Sequence, residues 1–262
     1  MPLSPMHRGS PAPAASAQFI LKFFFHPWDE GSGETIPSPL DPHTVHVYSG
    51  VLNPHSPYVD VLRNVLSEDE RQRAARFHFE KNRNEYILTR GALRGFLGRY
   101  LRIPPEEIRF AYTSHDKPFL ADASQKISFN ISHTDGLVAF AFTLEHAIGV
   151  DVEAVRSNIK TEDIAERFFS VAERQALREY PPEQRHAAFY RCWTRKEAYI
   201  KARGEGLSHP LAQFDVALGE DPEHVLLATR PDPGEADRWL LRPFTVPQGY
   251  AAAVAVSLQP FA

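Results

Sequence analysis

Apolar and polar positions along the chain change period several times, and each change marks an element. Ile148 to Glu153 alternates with period two, the pattern of a strand with one buried face. Val150 and Val152 then point into a core, while Asp151 and Glu153 project together on the other side. Alternation or short apolar runs predict further strands over 45–50, 108–112, 127–131, 137–144, 214–218, 224–229, 238–245 and 249–257, with Ser132-His133 lying between two of them. Ser67 with Glu70, and Ser170 with Glu173, are capping boxes. They open helices that run to about Phe79 and to the Pro181-Pro182 stop. Tyr86, Ile87, Leu93, Phe96, Leu97 and Tyr100 form one apolar face of a helix over 82–100. A short helix spans about Thr161 to Phe169, and a long one runs from about Glu183 to Arg203, ended by Gly204 or Gly206. On the long helix Glu197 lies one turn after Trp193 and one turn before Lys201.

This order divides the chain into two α+β halves of similar plan, 44–146 and 147–262, each holding helices and a mainly antiparallel sheet. Each half contains a similar apolar strand, 137–142 and 250–256. Residues 1–43 carry eight prolines and read as an extension, partly disordered. Its segment 19–28 is too apolar for a pure tail; it either docks on the body or precedes the true start.

Composition narrows the classes. With 262 residues, 43% of them hydrophobic, the chain can bury real cores. It has no apolar run of roughly 18 residues and no secretory layout, so the expectation is a cytoplasmic protein with no membrane span. Cys192 is the single cysteine, which excludes an intrachain disulfide and a thiolate zinc site. The net charge of −4 argues against a general nucleic-acid binder. Residues 71–102 run the other way: nine basic side chains, Arg83, Arg90 and Arg94 among them, face only Glu80 and Glu85. Such an island predicts an anionic partner.

The candidate chemistry lies in the alternating strand and the long helix. Asp151, Glu153 and Glu197 can together hold one hard cation, and Mg²⁺ typically combines a few carboxylates with waters and substrate phosphates. Lys196 and Lys201 beside it would suit a phosphate-bearing substrate. Simpler readings exist for each residue. Asp-x-Glu is often a solvated strand face, and Glu197 could be a surface residue paired with Lys201 four positions on. Trp193 reads as core packing and Cys192 as a small buried hydrophobe. Ser132-His133 is no nucleophile–base pair, since neighbours on an extended chain point apart, but a hydroxyl and an imidazole there suit a phosphate. Lys117-Pro118 has the same reading, a fixed loop presenting one cation.

Taken in order, these pieces resemble the Sfp-type 4′-phosphopantetheinyl transferases over about residues 67–257. The matching parts are the basic helix pair, Lys117-Pro118, Phe129 to His133, Ile148 to Glu153, Arg167 to Ser170, and Trp193-Thr194-Arg195-Lys196-Glu197-Ala198 continuing to Lys201 and Gly206-Leu207. The resemblance implies a monomer of two pseudo-symmetric halves, with coenzyme A and Mg²⁺ (Mn²⁺ as an alternative) in the cleft between them. It implies transfer of phosphopantetheine from coenzyme A to a serine of an acyl or peptidyl carrier protein, releasing adenosine 3′,5′-bisphosphate. Fatty-acid, polyketide and nonribosomal-peptide synthases carry such domains. By match to the family motif, Asp151, Glu153 and Glu197 would ligate the metal, with Glu197 also taking the serine proton and Lys201 stabilising the leaving group. Lys117 and His133, assisted by Ser132, would hold the 3′-phosphate, and Lys196 would lie near the pyrophosphate. Arg83 and Arg90 match the family's basic positions on the helix. Asp116 departs from the pattern, which has Gly before Lys-Pro, and the proline-rich leader is a second departure.

Overall fold

The computed structural model describes residues 19–25, 39–122, 124–206, 209–220, 222 and 224–260. Its layering follows from strands that are apolar on both faces. Strand β6 (Leu137–Leu144) sends Leu137, Ala139 and Ala141 into one core and Val138, Phe140 and Phe142 into another. Strand β11 (Tyr250–Pro260) does the same, with Ala252, Val254 and Val256 on one side and Ala251, Ala253 and Ala255 on the other. The core shared by both strands lies between two sheets. The outer faces are covered by helix α3 (Glu80–Leu101) on one side and helix α6 (Pro182–Arg203) on the other. The result is two pseudo-symmetric α+β halves joined back to back through their sheets.

The first sheet has the order β1 (Ile20–Phe25), β2 (Thr44–Val51), β6, β5 (Ile127–Thr134); β1 runs parallel to β2 and the other pairs are antiparallel. The second is antiparallel throughout, in the order β10 (Trp239–Pro243), β11, β7 (His146–Ala154). Two short hairpins complete the sheets: β3 (Phe110–Tyr112) with β4 (Pro118–Leu120), and β8 (Phe214–Val216) with β9 (Leu226–Thr229). Helices α1 (Tyr58–Asn64) and α2 (Glu68–Ala75) precede α3, and α4 (Thr161–Phe168) and α5 (Val171–Glu179) precede α6. No described helix is long and apolar enough to cross a membrane.

Several expectations change. The apolar stretch in the leader is a sheet strand: β1 pairs along β2, and Phe24 stacks on Tyr48 at 4.8 Å between ring centroids. Most of 1–38 lies outside the described residues, so the expectation of partial disorder falls there. Helix α2 stops at Ala75 instead of near 79, and Phe77 packs against Tyr86 at 5.4 Å. The third strand begins at Phe110 because the Ile108 carbonyl accepts from Arg94 (3.0 Å). Ser132 and His133 lie inside β5, which runs on to Thr134 before the turn at Asp135-Gly136. Helix α1 was not foreseen.

Two arginines of the basic island are paired by one buried carboxylate. Glu70, the capping-box residue of α2, binds Arg90 at 2.8 Å and Arg94 at 2.6 Å. Arg94 is 1% exposed and also donates to the carbonyls of Pro105 and Ile108. A buried carboxylate held by two guanidinium groups is a structural clamp between α2 and α3.

Candidate active site

Strand alternation on β7 places Ile148, Val150 and Val152 in the inter-sheet core and leaves Gly149, Asp151 and Glu153 on the face toward α6. Gly149 sets how closely the helix can lie. A Cβ there would stand 2.2 Å from the Ala198 carbonyl oxygen and 2.4 Å from the Ala202 nitrogen. Backbone therefore rests on backbone, and the helical residues beside that contact, Glu197 and Lys201, come down next to Asp151. The Lys201 ammonium donates to Asp151 Oδ1 at 2.6 Å and to Ser132 Oγ at 3.1 Å, and Ser132 Oγ donates to the same Asp151 oxygen at 2.9 Å.

Side chains of β5 bind β7 along one line. Asn130 Oδ1 accepts from the Val150 amide at 2.9 Å, Ser132 reaches Asp151, and Thr134 Oγ1 donates to Glu153 Oε2 at 3.4 Å. Residues 130, 132 and 134 share a face by strand periodicity, so a polar i, i+2, i+4 row joins the halves. His133 faces the other way, exposed to a cleft of about 660 Å³.

That cleft lies between α3 and β5. Tyr86, Thr89 and Arg90 line it on the helix side, Ile131, His133 and Thr134 on the strand side, and Lys117, Lys201 and Gly206 close its floor. Glu85 Oε1 and Thr89 Oγ1, one helical turn apart, are buried in its wall without a hydrogen-bond partner among the described residues. Nothing in the sequence singled out Glu85, Thr89 or Thr134; the only available signal was their shared face with residues already chosen.

The carboxylates resist ionisation. Burial raises the Asp151 pKa, against the opposing pull of Lys201. Burial and then the Asp151 charge raise that of Glu153. Glu197 is pushed up to about 7 by burial and Asp151, with Glu153 adding to the rise and Lys201 opposing it. The Asp151 charge is thus felt by both glutamates and that of Glu153 by Glu197, the situation a cation relieves. Among the described residues no group of three His, Cys, Asp or Glu side chains is arranged so as to hold a metal ion. The donor set still fits a hard divalent ion. Asp151 Oδ2 is buried with no hydrogen-bond partner among the described residues, and the ammonium of Lys201 already sits on Oδ1 in a cation's place.

Not every expected residue joins this site. Lys196 is 0% exposed and faces away from the cleft. Its ammonium pairs with Glu173 at 2.7 Å and donates to the carbonyls of Leu211 and Phe214 at 2.8 and 2.7 Å. One step along a helix turns a side chain by about 100°, so Lys196 and Glu197 cannot share a face. Ser132 is turned to the carboxylates, so it does not assist His133 at one phosphate. Arg83 is not among the residues lining the cleft. Arg90 lines it, but its guanidinium is committed to Glu70 and to the Tyr112 hydroxyl at 3.1 Å. Lys117 is held by two carbonyls, and burial and the charge of Lys201 bring its pKa down to about 8. Crowding by the cleft walls lowers the His133 pKa, with Glu85 opposing and Lys201 adding to the fall. Asp116 has φ of +57°, a left-handed conformation that Gly adopts freely and Asp tolerates, which accounts for its standing where the family pattern has Gly. Cys192 is fully buried with its pKa well raised by burial, and it takes no part.

Comparison with known proteins covers both halves. Residues 147–255 match the family model described as the 4′-phosphopantetheinyl transferase superfamily, and residues 52–145 match the one described as 4′-phosphopantetheinyl transferase, N-terminal. The chain is 37% identical over 215 residues to the 4′-phosphopantetheinyl transferase HetI of Nostoc sp., covering 81% of this chain and 87% of that protein. It is 30% identical over 196 residues to the 4′-phosphopantetheinyl transferase Sfp of Bacillus subtilis, covering 75% of this chain and 84% of that protein. Among solved structures it resembles the holo-[acyl-carrier-protein] synthase of Thermotoga maritima, with 24% identity and a TM-score of 0.34, over 42% of this chain and 62% of that one.

Proposed function

The chain belongs to the Sfp-type 4′-phosphopantetheinyl transferases, and we propose that it moves the phosphopantetheine arm of coenzyme A to a serine of a carrier-protein domain. The observation that carries this reading is the contact at Gly149, which brings Glu197 and Lys201 of α6 against Asp151 of β7.

Asp151, Glu153 and Glu197 would hold Mg²⁺, or Mn²⁺ in its stead. The ion would offset the charge of the pyrophosphate and the charge that develops on transfer. The rest of the chemistry falls to side chains. Glu197 would take the proton from the attacking serine. Lys201, whose ammonium is bound to Asp151, would stabilise the leaving adenosine 3′,5′-bisphosphate. His133, exposed to the cleft at the far side of β5, would meet the 3′-phosphate. The enzyme needs no nucleophile of its own, since the carrier serine attacks the β-phosphorus directly.

Both halves of the site come from one chain, which supports a monomer as the working unit. Fatty-acid, polyketide and nonribosomal-peptide carriers all present the required serine. The test is a stoichiometric one: adenosine 3′,5′-bisphosphate, separated by chromatography, should appear mole for mole with modified carrier. Consumption of coenzyme A without modified carrier would refute the reading.

A further inference from the structure

Lys117 stands on the turn between β3 and β4 in the N-terminal half, and its ammonium reaches into the C-terminal half. Nζ donates to the carbonyl of Lys201 at 2.6 Å and to that of Ile148 at 3.0 Å. The first carbonyl belongs to the last turn of α6, where intrahelical partners run out and the helix dipole favours a cation. The second belongs to β7, one residue before Gly149. The two carbonyls therefore flank the place where helix and strand touch backbone to backbone. Lys201, whose carbonyl is held, is also the residue whose side chain binds Asp151.

The turn is built to hold Lys117 in place. Thr113 N donates to the Lys117 carbonyl at 3.0 Å, Asp116 N donates to the Thr113 carbonyl at 3.0 Å, and Lys117 N donates to Thr113 Oγ1 at 3.2 Å. Pro118 follows at once and fixes the exit.

We propose that Lys117 is a positioning residue: a strut between the halves that fixes the last turn of α6 on β7 and so holds Lys201 at Asp151. It is then not a ligand of the 3′-phosphate, the role its motif implies. Two of its three N–H donors are committed to carbonyls, and a second ammonium, that of Lys201, lies close enough to lower its pKa. This inference rests on the transferase reading, whose own failure would show first, as a wild-type chain without turnover.

The test compares Lys117→Met with the wild type on coenzyme A and on dephospho-coenzyme A, which lacks the 3′-phosphate. Removing a strut misplaces Lys201 whichever substrate is bound. Expected is a fall in kcat of roughly a hundredfold, the scale of an ångström-level misplacement, equal for both substrates, with the ratio of their kcat/KM values unchanged. A lowered Tm should accompany it. A selective rise in KM for coenzyme A, with dephospho-coenzyme A unaffected and Tm unchanged, would overturn the proposal. Where Lys117→Met does not fold, Lys117→Arg is read by the same ratio. An unchanged ratio with lowered kcat supports the strut, and a ratio altered at wild-type kcat contradicts it.

Discussion

Lys201 Nζ lies 2.6 Å from Asp151 Oδ1, across a span of fifty residues that joins the end of one helix to the middle of one strand. The pair marks the centre of the site. Its geometry depends on a glycine beneath the helix, a serine beside the strand and two further acids that strain against it.

Asp151→Asn should reduce turnover by about 10²–10⁴-fold, the range for losing a group that acts on the reacting centre. The amide keeps the size and can still accept from Ser132, so circular dichroism should show a folded chain. Near-normal turnover at saturating Mg²⁺ would remove Asp151 from the site.

Gly149→Ala adds one methyl where 2.2 Å separates it from the Ala198 carbonyl oxygen. The helix must lift or the strand must bend. Overpacking of this kind costs about 1–3 kcal/mol, measurable by urea unfolding. Turnover should fall further than stability alone explains, because Glu197 and Lys201 move with the helix. A variant with wild-type turnover would show that the close contact does not set the site.

Glu197 makes one contribution to the pH dependence of stability. Its pKa rises from 4.5 in the unfolded chain to about 7 in the fold. Between those values the folded state binds the extra proton, so stability falls as pH rises from about 4.5 to 7. Burial brings the His46 pKa down to about 4, which works the other way over nearly the same range. In EDTA the Tm of the wild type should therefore fall relative to that of Glu197→Gln across that window, and added Mg²⁺ should raise the wild-type Tm most at its upper end. A Tm indifferent to Mg²⁺ at pH 7 would argue against a cation at these carboxylates.

Lys196→Met should act on stability and not on substrate affinity. It leaves Glu173, 1% exposed on its side chain, without its cation, and breaking a buried pair in this way costs about 3–5 kcal/mol. The KM for coenzyme A of the folded fraction should be unchanged. A raised KM at unchanged stability would return Lys196 to the cleft.

Deleting residues 1–38 removes β1 and uncovers Tyr48 and His46, on which Phe24 packs. Stability should drop while turnover per folded molecule stays the same, since no β1 residue lines the cleft. Unchanged Tm would show the strand to be dispensable.

What the chain reveals before folding follows from periodicity. Asp151 with Glu153, and Glu197 with Lys201, could be read because strand and helix spacing fix which side chains share a face. The ends of α6 were legible for the same kind of local reason, a proline at its start and Gly204 at its end. Lys196 was misread because motif adjacency was followed where helical geometry sends neighbours apart. The partners of Lys117 were illegible: the carbonyls of Ile148 and Lys201 carry no sequence signal and lie 31 and 84 positions away. That Arg90 and Arg94 are held internally could not be read from the island, because Glu70, which clamps both, stands just outside the charged stretch. The apolar leader stretch docks on the body, one of the two readings open from its composition; that it docks as a strand parallel to β2 carried no sequence signal.

The most direct test is the intact mass of an apo carrier protein after incubation with this chain, coenzyme A and Mg²⁺, run in parallel with EDTA and with Glu197→Gln. Expected is a gain of one phosphopantetheine with the wild type and Mg²⁺, and little or none in the other two. No gain with folded wild-type protein across carriers of several types, or an equal gain with Glu197→Gln, would contradict the mechanism placed at this site.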